Sequence, residues 1–276
     1  MTAFVNNFKT AILLGGLMGL FVAVGSMWGQ QGMIMGLLLG GMMNVVAWFF
    51  SDKIAIASMR AREVTAETGG DYYRMVDDLR RRAGLPMPRV YICPHEAPNA
   101  FATGRSPRKA AVAVTQGLLR VLDRDELEGV IAHELAHIKN RDTLTSCIAA
   151  TIAGVLAFIA QWGMLLGGGN REGSNPLAMF LTLILAAVGA ALIKAAISRS
   201  REYVADAHAR DLVGSPHGLV SALQKIEAYS KRIPLVQPNP AQNNLFIIEP
   251  FGGNAAIRLF ATHPPTESRI RALMNG

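Results

Sequence analysis

Between Lys9 and Asp52 the chain carries no charged residue. At about 1.5 Å per residue, such an interval crosses the roughly 30 Å hydrocarbon layer of a bilayer twice if it turns midway. The turn falls at Trp28-Gly29-Gln30-Gln31-Gly32, where glycines, side-chain amides and an interfacial Trp meet. One helix is expected near residues 10–28 and a second near 33–50. A cleaved signal peptide fits the first run poorly, because the second follows almost at once without a clear small-residue cleavage site between them. Composition points the same way. With 51% hydrophobic and 17% charged residues, the chain has too little polar surface to cover itself in water.

Two more uncharged stretches run from Thr143 to Asn170 and from Gly173 to Ile193. They are joined by Gly167-Gly168-Gly169-Asn170-Arg171-Glu172-Gly173, so a second helical hairpin is expected. Thr143, Thr145, Ser146, Thr151 and Gln161 make the third run less apolar, and buried soluble helices are its alternative reading. Lys9, Lys53, Arg60, Arg62, Lys139, Arg141, Lys194, Arg199 and Arg201 flank the same ends of the two hairpins. The opposite connections hold only Arg171, beside Glu172. By the positive-inside rule, both termini and the polar segments face the cytoplasm. The net charge of +7 is accounted for by this clustering, with no basic stripe interleaved with aromatics to suggest a nucleic-acid partner. Cys93 and Cys147 are read as reduced thiols, since two cysteines make neither a disulfide framework nor a metal motif.

In the polar segments, residues 71–83 place Tyr72, Met75, Val76, Leu79 and Ala83 on one helical stripe, with Gly84 as a stop. Pro86 and Pro88 break the chain, and Arg89 to Cys93, Asn99 to Ala102 and Ala111 to Val114 read as strands. Pro234 to Pro250, rich in Pro, Asn and Gln, reads as a loop.

Asp123 followed by Glu126 is a capping-box pair that starts a helix with Leu127, Val130, Ile131, Leu135 and Ile138 on its apolar stripe. Within it stands His133-Glu134-Leu135-Ala136-His137. Histidines four apart lie one turn above each other, so both imidazoles can reach one metal ion. Glu134 falls in the apolar stripe near Ile138, where an unpartnered carboxylate is costly. In a site of this kind such a residue takes a proton from an attacking water and passes it to the leaving amine. A catalytic zinc needs a third protein ligand. Of the remaining groups, His95, His208, His217 and His263 are weaker candidates than Glu202 in Arg199-Ser200-Arg201-Glu202-Tyr203-Val204-Ala205-Asp206. Asp206, one turn on, can accept a hydrogen bond from a ligated imidazole and fix its tautomer. The competing reading is a solvated face, its acids paired with Arg199 or Arg201. If the third and fourth runs form a hairpin, His137 and Glu202 emerge side by side on one membrane face.

Taken together these segments resemble the HtpX family of membrane zinc metallopeptidases, relatives of the CAAX prenyl proteases. The resemblance rests on HELAH between two apolar hairpins, on SRSREYVADAHA, on Pro98 to Gly104, and on Thr262-His263-Pro264-Pro265 with Arg269-Ile270. It implies one zinc per chain on His133, His137 and Glu202, with Glu134 as general base and Asp206 behind the ligands. It also implies that Asn99, Ala100, Phe101 and Ala102 pair with the substrate backbone, and that His263 stabilises an oxyanion. An ordinary sheet strand and a structural histidine are the alternatives for these last two. Family members degrade damaged or misassembled membrane proteins and other unfolded substrates in the bacterial cytoplasmic membrane.

The fold class that follows is an α+β membrane protein, mostly helical. It has two transmembrane hairpins and a cytoplasmic zincin-like metalloprotease domain with a small β-sheet. The expected division is 1–51 and 143–197 for the hairpins, with 52–142 and 198–276 forming the protease domain. Rival functions are a CAAX-type processing enzyme, a non-proteolytic zinc scaffold or chaperone, and a channel. Four apolar runs argue against the first, an intact HELAH against the second, and the lack of polar residues lining the runs against the third.

Overall fold

The computed structural model describes residues 2–26, 29–149, 152, 199–232 and 264–275. Two long helices come first, α1 (Thr2–Ser26) and α2 (Gly29–Ser58). Both are long and apolar enough to cross a membrane. Phe4 is 77% and Leu38 62% exposed, an outward apolar surface that lipid accepts and water does not. The two helices approach closely where glycines remove the side chain. A Cβ on Gly36 would stand 2.2 Å from the Phe21 carbonyl oxygen, and one on Gly25 the same distance from that of Gly32. Asn44 Nδ2 donates to the Leu14 carbonyl across the pair at 3.0 Å.

Both helices run beyond the expected 10–28 and 33–50. Helix α1 begins before Lys9, and α2 continues through Asp52 and Lys53 to Ser58. A charge ends the lipid-embedded part of a helix but not its hydrogen-bond ladder. Past that point Ala55 and Met59 bury against Tyr91, Cys93, Phe101, Ala111 and Ala113, so α2 passes directly into the sheet region.

That region holds four strands, β1 (Arg62–Val64), β2 (Arg89–Cys93), β3 (Ala100–Thr103) and β4 (Ala111–Thr115). Their order is β1-β2-β4-β3, with β2 and β4 parallel and the other pairs antiparallel. The three expected strands are present, two of them shifted by a residue. Strand β1 is additional, its three residues too few to present an alternating pattern. Helix α3 (Gly70–Ala83) buries Tyr72, Val76 and Leu79 and stops at Gly84, whose φ of 69° suits the left-handed cap. Helix α4 (Gln116–Val121) is capped by Thr115, whose Oγ1 accepts from the Leu118 N–H at 3.1 Å.

Helix α5 (Arg124–Asn140) is the centre of the molecule. It packs against α3, β3, α6 (Arg199–Val213) and α7 (His217–Arg232), while α8 (Thr266–Asn275) lies on α6 and α7. The core joins Leu79 and Val112 to Val130, Ile131 and Leu135 of α5 and to Leu223 of α7. At Gly129 the backbones of α5 and α7 nearly touch, since a Cβ there would lie 2.6 Å from the Leu219 nitrogen. After α5 the chain is helical again over 142–149, and Leu144 and Ile148 pack with Leu13 and Leu17 of α1. Among the described residues the structure is thus mostly helical, with a small mixed sheet and two candidate membrane helices. The rest of the expected second hairpin, the Pro234 to Pro250 loop and His263 lie outside the described residues.

Candidate metal centre

The helix bearing the histidines is held at both ends. At its start the Glu126 N–H donates to Asp123 Oδ1 at 3.0 Å and the Asp123 N–H donates to Glu126 Oε2 at 2.9 Å, the expected capping box. Glu126 also accepts from Ser221 Oγ at 2.6 Å and Lys225 Nζ at 2.7 Å, which ties α5 to α7. At its end Arg141 adopts a left-handed conformation with φ 59°, and the chain turns back under the last helical turn.

His133 and His137 stack edge to face with ring centroids 4.6 Å apart. Their Nε2 atoms are 3.1 Å from each other and 3.6 and 3.7 Å from the carboxylate oxygens of Glu202, on α6. Donors around a tetrahedral zinc at its usual bond lengths stand about 3.3 Å apart, so these three side chains fit one ion. Neither imidazole is free to rotate. Asp206 Oδ1 lies 2.9 Å from His133 Nδ1, and Asp142 Oδ2 lies 3.1 Å from His137 Nδ1. A carboxylate on each Nδ1–H leaves both Nε2 lone pairs directed at the common point.

A fourth group closes the cluster from α8. Arg269, 1% exposed, donates from Nε to Asp206 Oδ2 at 2.9 Å and from Nη2 to Oδ1 at 2.6 Å, and its Nη1 is 3.9 Å from Glu202. Burial alone would raise the Asp206 pKa, but the Arg269 charge and its hydrogen bonds, together with His133, outweigh it and hold Asp206 at about 2. Burial likewise disfavours a charged His133, yet its hydrogen bonds to Asp206 and Glu202 and the Asp206 charge lift it to about 9.

The structure therefore brings together His133, His137, Glu202 and Asp206, while Glu134, 4% exposed, follows His133 on α5. The solvated-face reading of Glu202 and Asp206 fails, as both are buried and Arg269 of α8 pairs with them. Arg201 instead donates to the Asp142 carbonyl and Ser146 Oγ at 3.5 and 3.3 Å. Ala100, Phe101 and Ala102 of β3 pair with Val114, Ala113 and Val112 of β4, and among the described residues β3 stands at one edge of the sheet and against α5. Asn99 precedes β3, its N–H donating to Thr115 Oγ1 at 2.9 Å.

Two residues of the site escaped the sequence reading. Asp142 is reached only because Arg141 reverses the chain, and the one available signal was an acid just past the histidine helix. Arg269 was visible as part of a motif, but nothing in its own segment says that it enters the core.

The family model for peptidase family M48 matches residues 67–275. A curated relative from Nostoc punctiforme named protease HtpX homolog is 50% identical over 278 residues, covering 98% of this chain and 96% of its own. One of the same name from Pyrococcus furiosus is 49% identical, covering 96% and 94%. Among solved structures, the crystal structure of S. mikatae Ste24p aligns with a TM-score of 0.55 at 17% identity, over 98% of this chain and 66% of that one, a likeness of fold. The chain belongs to peptidase family M48, alongside the HtpX-type proteases.

Proposed function

We propose that this chain is a membrane-embedded zinc endopeptidase that cleaves damaged or misassembled membrane proteins and unfolded proteins at the cytoplasmic face of the bacterial inner membrane. The observation that carries the reading is the triangle of His133, His137 and Glu202, each imidazole fixed by a carboxylate, with Glu134 beside it. One zinc per chain is expected there. When bound, it supplies a Lewis acid that polarises a scissile carbonyl and acidifies a water. Glu134 takes the proton of the attacking water and hands it to the leaving amine nitrogen. Strand β3, with Asn99 before it, holds the substrate backbone by adding it as a further strand. Asp206 fixes the His133 tautomer, and His263 stabilises the developing oxyanion.

Composition and contacts support the location. Basic residues at the hairpin ends support a cytoplasmic site, with membrane hairpins over 1–51 and 143–197 and the protease domain in 52–142 and 198–276. Contact between α1 and the 142–149 helix, directly after α5, supports a metal close to the lipid.

The test compares wild type with Glu134→Gln, purified in detergent without metal, given zinc, and supplied with an unfolded protein substrate. Both are expected to bind zinc with similar affinity and only wild type to cleave. Equal cleavage by the two, or zinc binding with no cleavage by either, would replace the protease reading with a zinc scaffold.

A further inference from the structure

We infer that Asn6, on the first membrane helix, is a positioning residue of the metal centre that acts on His137 through Asp142. The inference rests on the metal reading above and extends it to a helix that contributes no ligand.

Asn6 is 1% exposed, in a helix whose neighbouring apolar residues face outward. Burying a primary amide in such a setting costs free energy unless both of its N–H donors are used. Both are. One is donated to the Asn140 carbonyl at 3.1 Å, at the end of α5, where helix carbonyls have no partner within the helix. The other is donated to Asp142 Oδ1. The second oxygen of the same carboxylate, Oδ2, faces His137 Nδ1 at 3.1 Å, and the His137 Nε2 points to the ligand cluster. The amide thus caps the ligand helix and sets the rotamer of the carboxylate that orients one ligand.

A purely structural contact between helices would look different. One turn along α1, Thr10 Oγ1 meets Thr145 Oγ1 at 2.9 Å, joining the same two segments without touching Asp142 or His137. Thr10 is therefore the internal control. Loss of helix docking affects both positions alike, whereas loss of the relay affects only Asn6.

The experiment uses full-length protein in detergent. Zinc affinity is measured by competition with a chromophoric chelator, and ligand geometry by the visible absorption of the cobalt(II) form. Asn6→Leu is expected to weaken zinc binding and to shift the cobalt bands, with the about 10- to 100-fold usual for loss of a ligand's own hydrogen-bond partner as the upper bound. Thr10→Val is expected to hold zinc within about twofold of wild type, with an unchanged spectrum. Asp142→Asn should weaken binding, and adding Asn6→Leu to it should weaken binding little further, because the two lie on one path. Asn6→Ala removes the amide without adding bulk and is read in the same way if the leucine variant does not fold.

Wild-type affinity and spectrum in the Asn6 variants overturn the inference alone, as do equal losses in Thr10→Val or fully additive losses in the double variant. Undiminished zinc binding by His137→Ala overturns the metal-centre reading, and the inference with it.

Discussion

Asp206 serves two partners at once. Its Oδ1 lies 2.9 Å from His133 Nδ1 and accepts from Arg269 Nη2 at 2.6 Å, so the carboxylate that fixes a ligand's tautomer is itself neutralised by a buried arginine. Removing the arginine leaves the buried Asp206 and Glu202 carboxylates without their guanidinium partner. Breaking a buried pair from one side costs about 3–5 kcal/mol. Arg269→Met is therefore expected to lower the thermal unfolding midpoint of the metal-free protein by many degrees, and an unchanged midpoint would show that the pair is not stabilising. Asp206→Asn probes the same contact through pH. The folded-state pKa of about 2 lies below the ordinary 3.8, so this carboxylate stabilises the fold above pH 3.8 and the contribution is lost as pH falls toward 2. In denaturant titrations across that window, wild type should lose more stability than Asp206→Asn. Parallel losses in the two proteins would mean that Asp206 is not the group titrating.

At the level of elements, the features legible in sequence are those whose signal is complete within one segment. The Asp123 and Glu126 cap, the Gly84 stop, the i, i+4 pair of histidines and the Glu202 and Asp206 spacing each need only a few neighbouring residues, and each is found in the structure. Asn6 meets Asp142 across 136 positions and Arg269 meets His133 across the same number, and no local periodicity encodes a partner that far away. Strand β1 and the continuation of α2 are of the same kind, since both exist because the sheet offers a surface to pair with or pack on. The cap can be tested by itself. Asp123→Ala should lower the unfolding midpoint slightly, because one helix N–H loses its acceptor, with the zinc affinity unchanged. The hairpin gives a larger effect. Gly36→Leu inserts a side chain where a Cβ would already stand 2.2 Å from a backbone oxygen, so α1 and α2 must separate. Cysteine pairs placed across α1 and α2 should crosslink in wild type and much less in that variant. Equal crosslinking would mean that the hairpin absorbs the bulk by another route.

On the scale of the whole molecule, the metal centre is where elements distant in the chain are joined. The proposed ligands sit on α5 and α6, Arg269 reaches Glu202 from α8, and Asn6 of α1 reaches Asp142, which faces His137. Helix α5 is anchored independently, by its cap, by α7 through Glu126 and by the core beneath the sheet. Helices α6 and α8 add Ala209 and Leu273 to that core and also meet at the cluster, where the Glu202 and Asp206 carboxylates face two imidazoles and the Arg269 guanidinium. A metal at this point acts as a crosslink between α5 and α6. Free zinc at 100 times its Kd would stabilise the folded state by about 2.7 kcal/mol if the unfolded chain does not bind it. Chelation should therefore do more than stop turnover. Hydrogen exchange in detergent is expected to quicken in α6 and α8 when zinc is withdrawn, with α3 and the sheet unchanged and readdition restoring protection. Quickening throughout the chain would mean that the metal holds up the entire fold. No change in α6 or α8 would mean that Arg269 and the carboxylates already lock these helices, and that the ion enters a site fully formed without it.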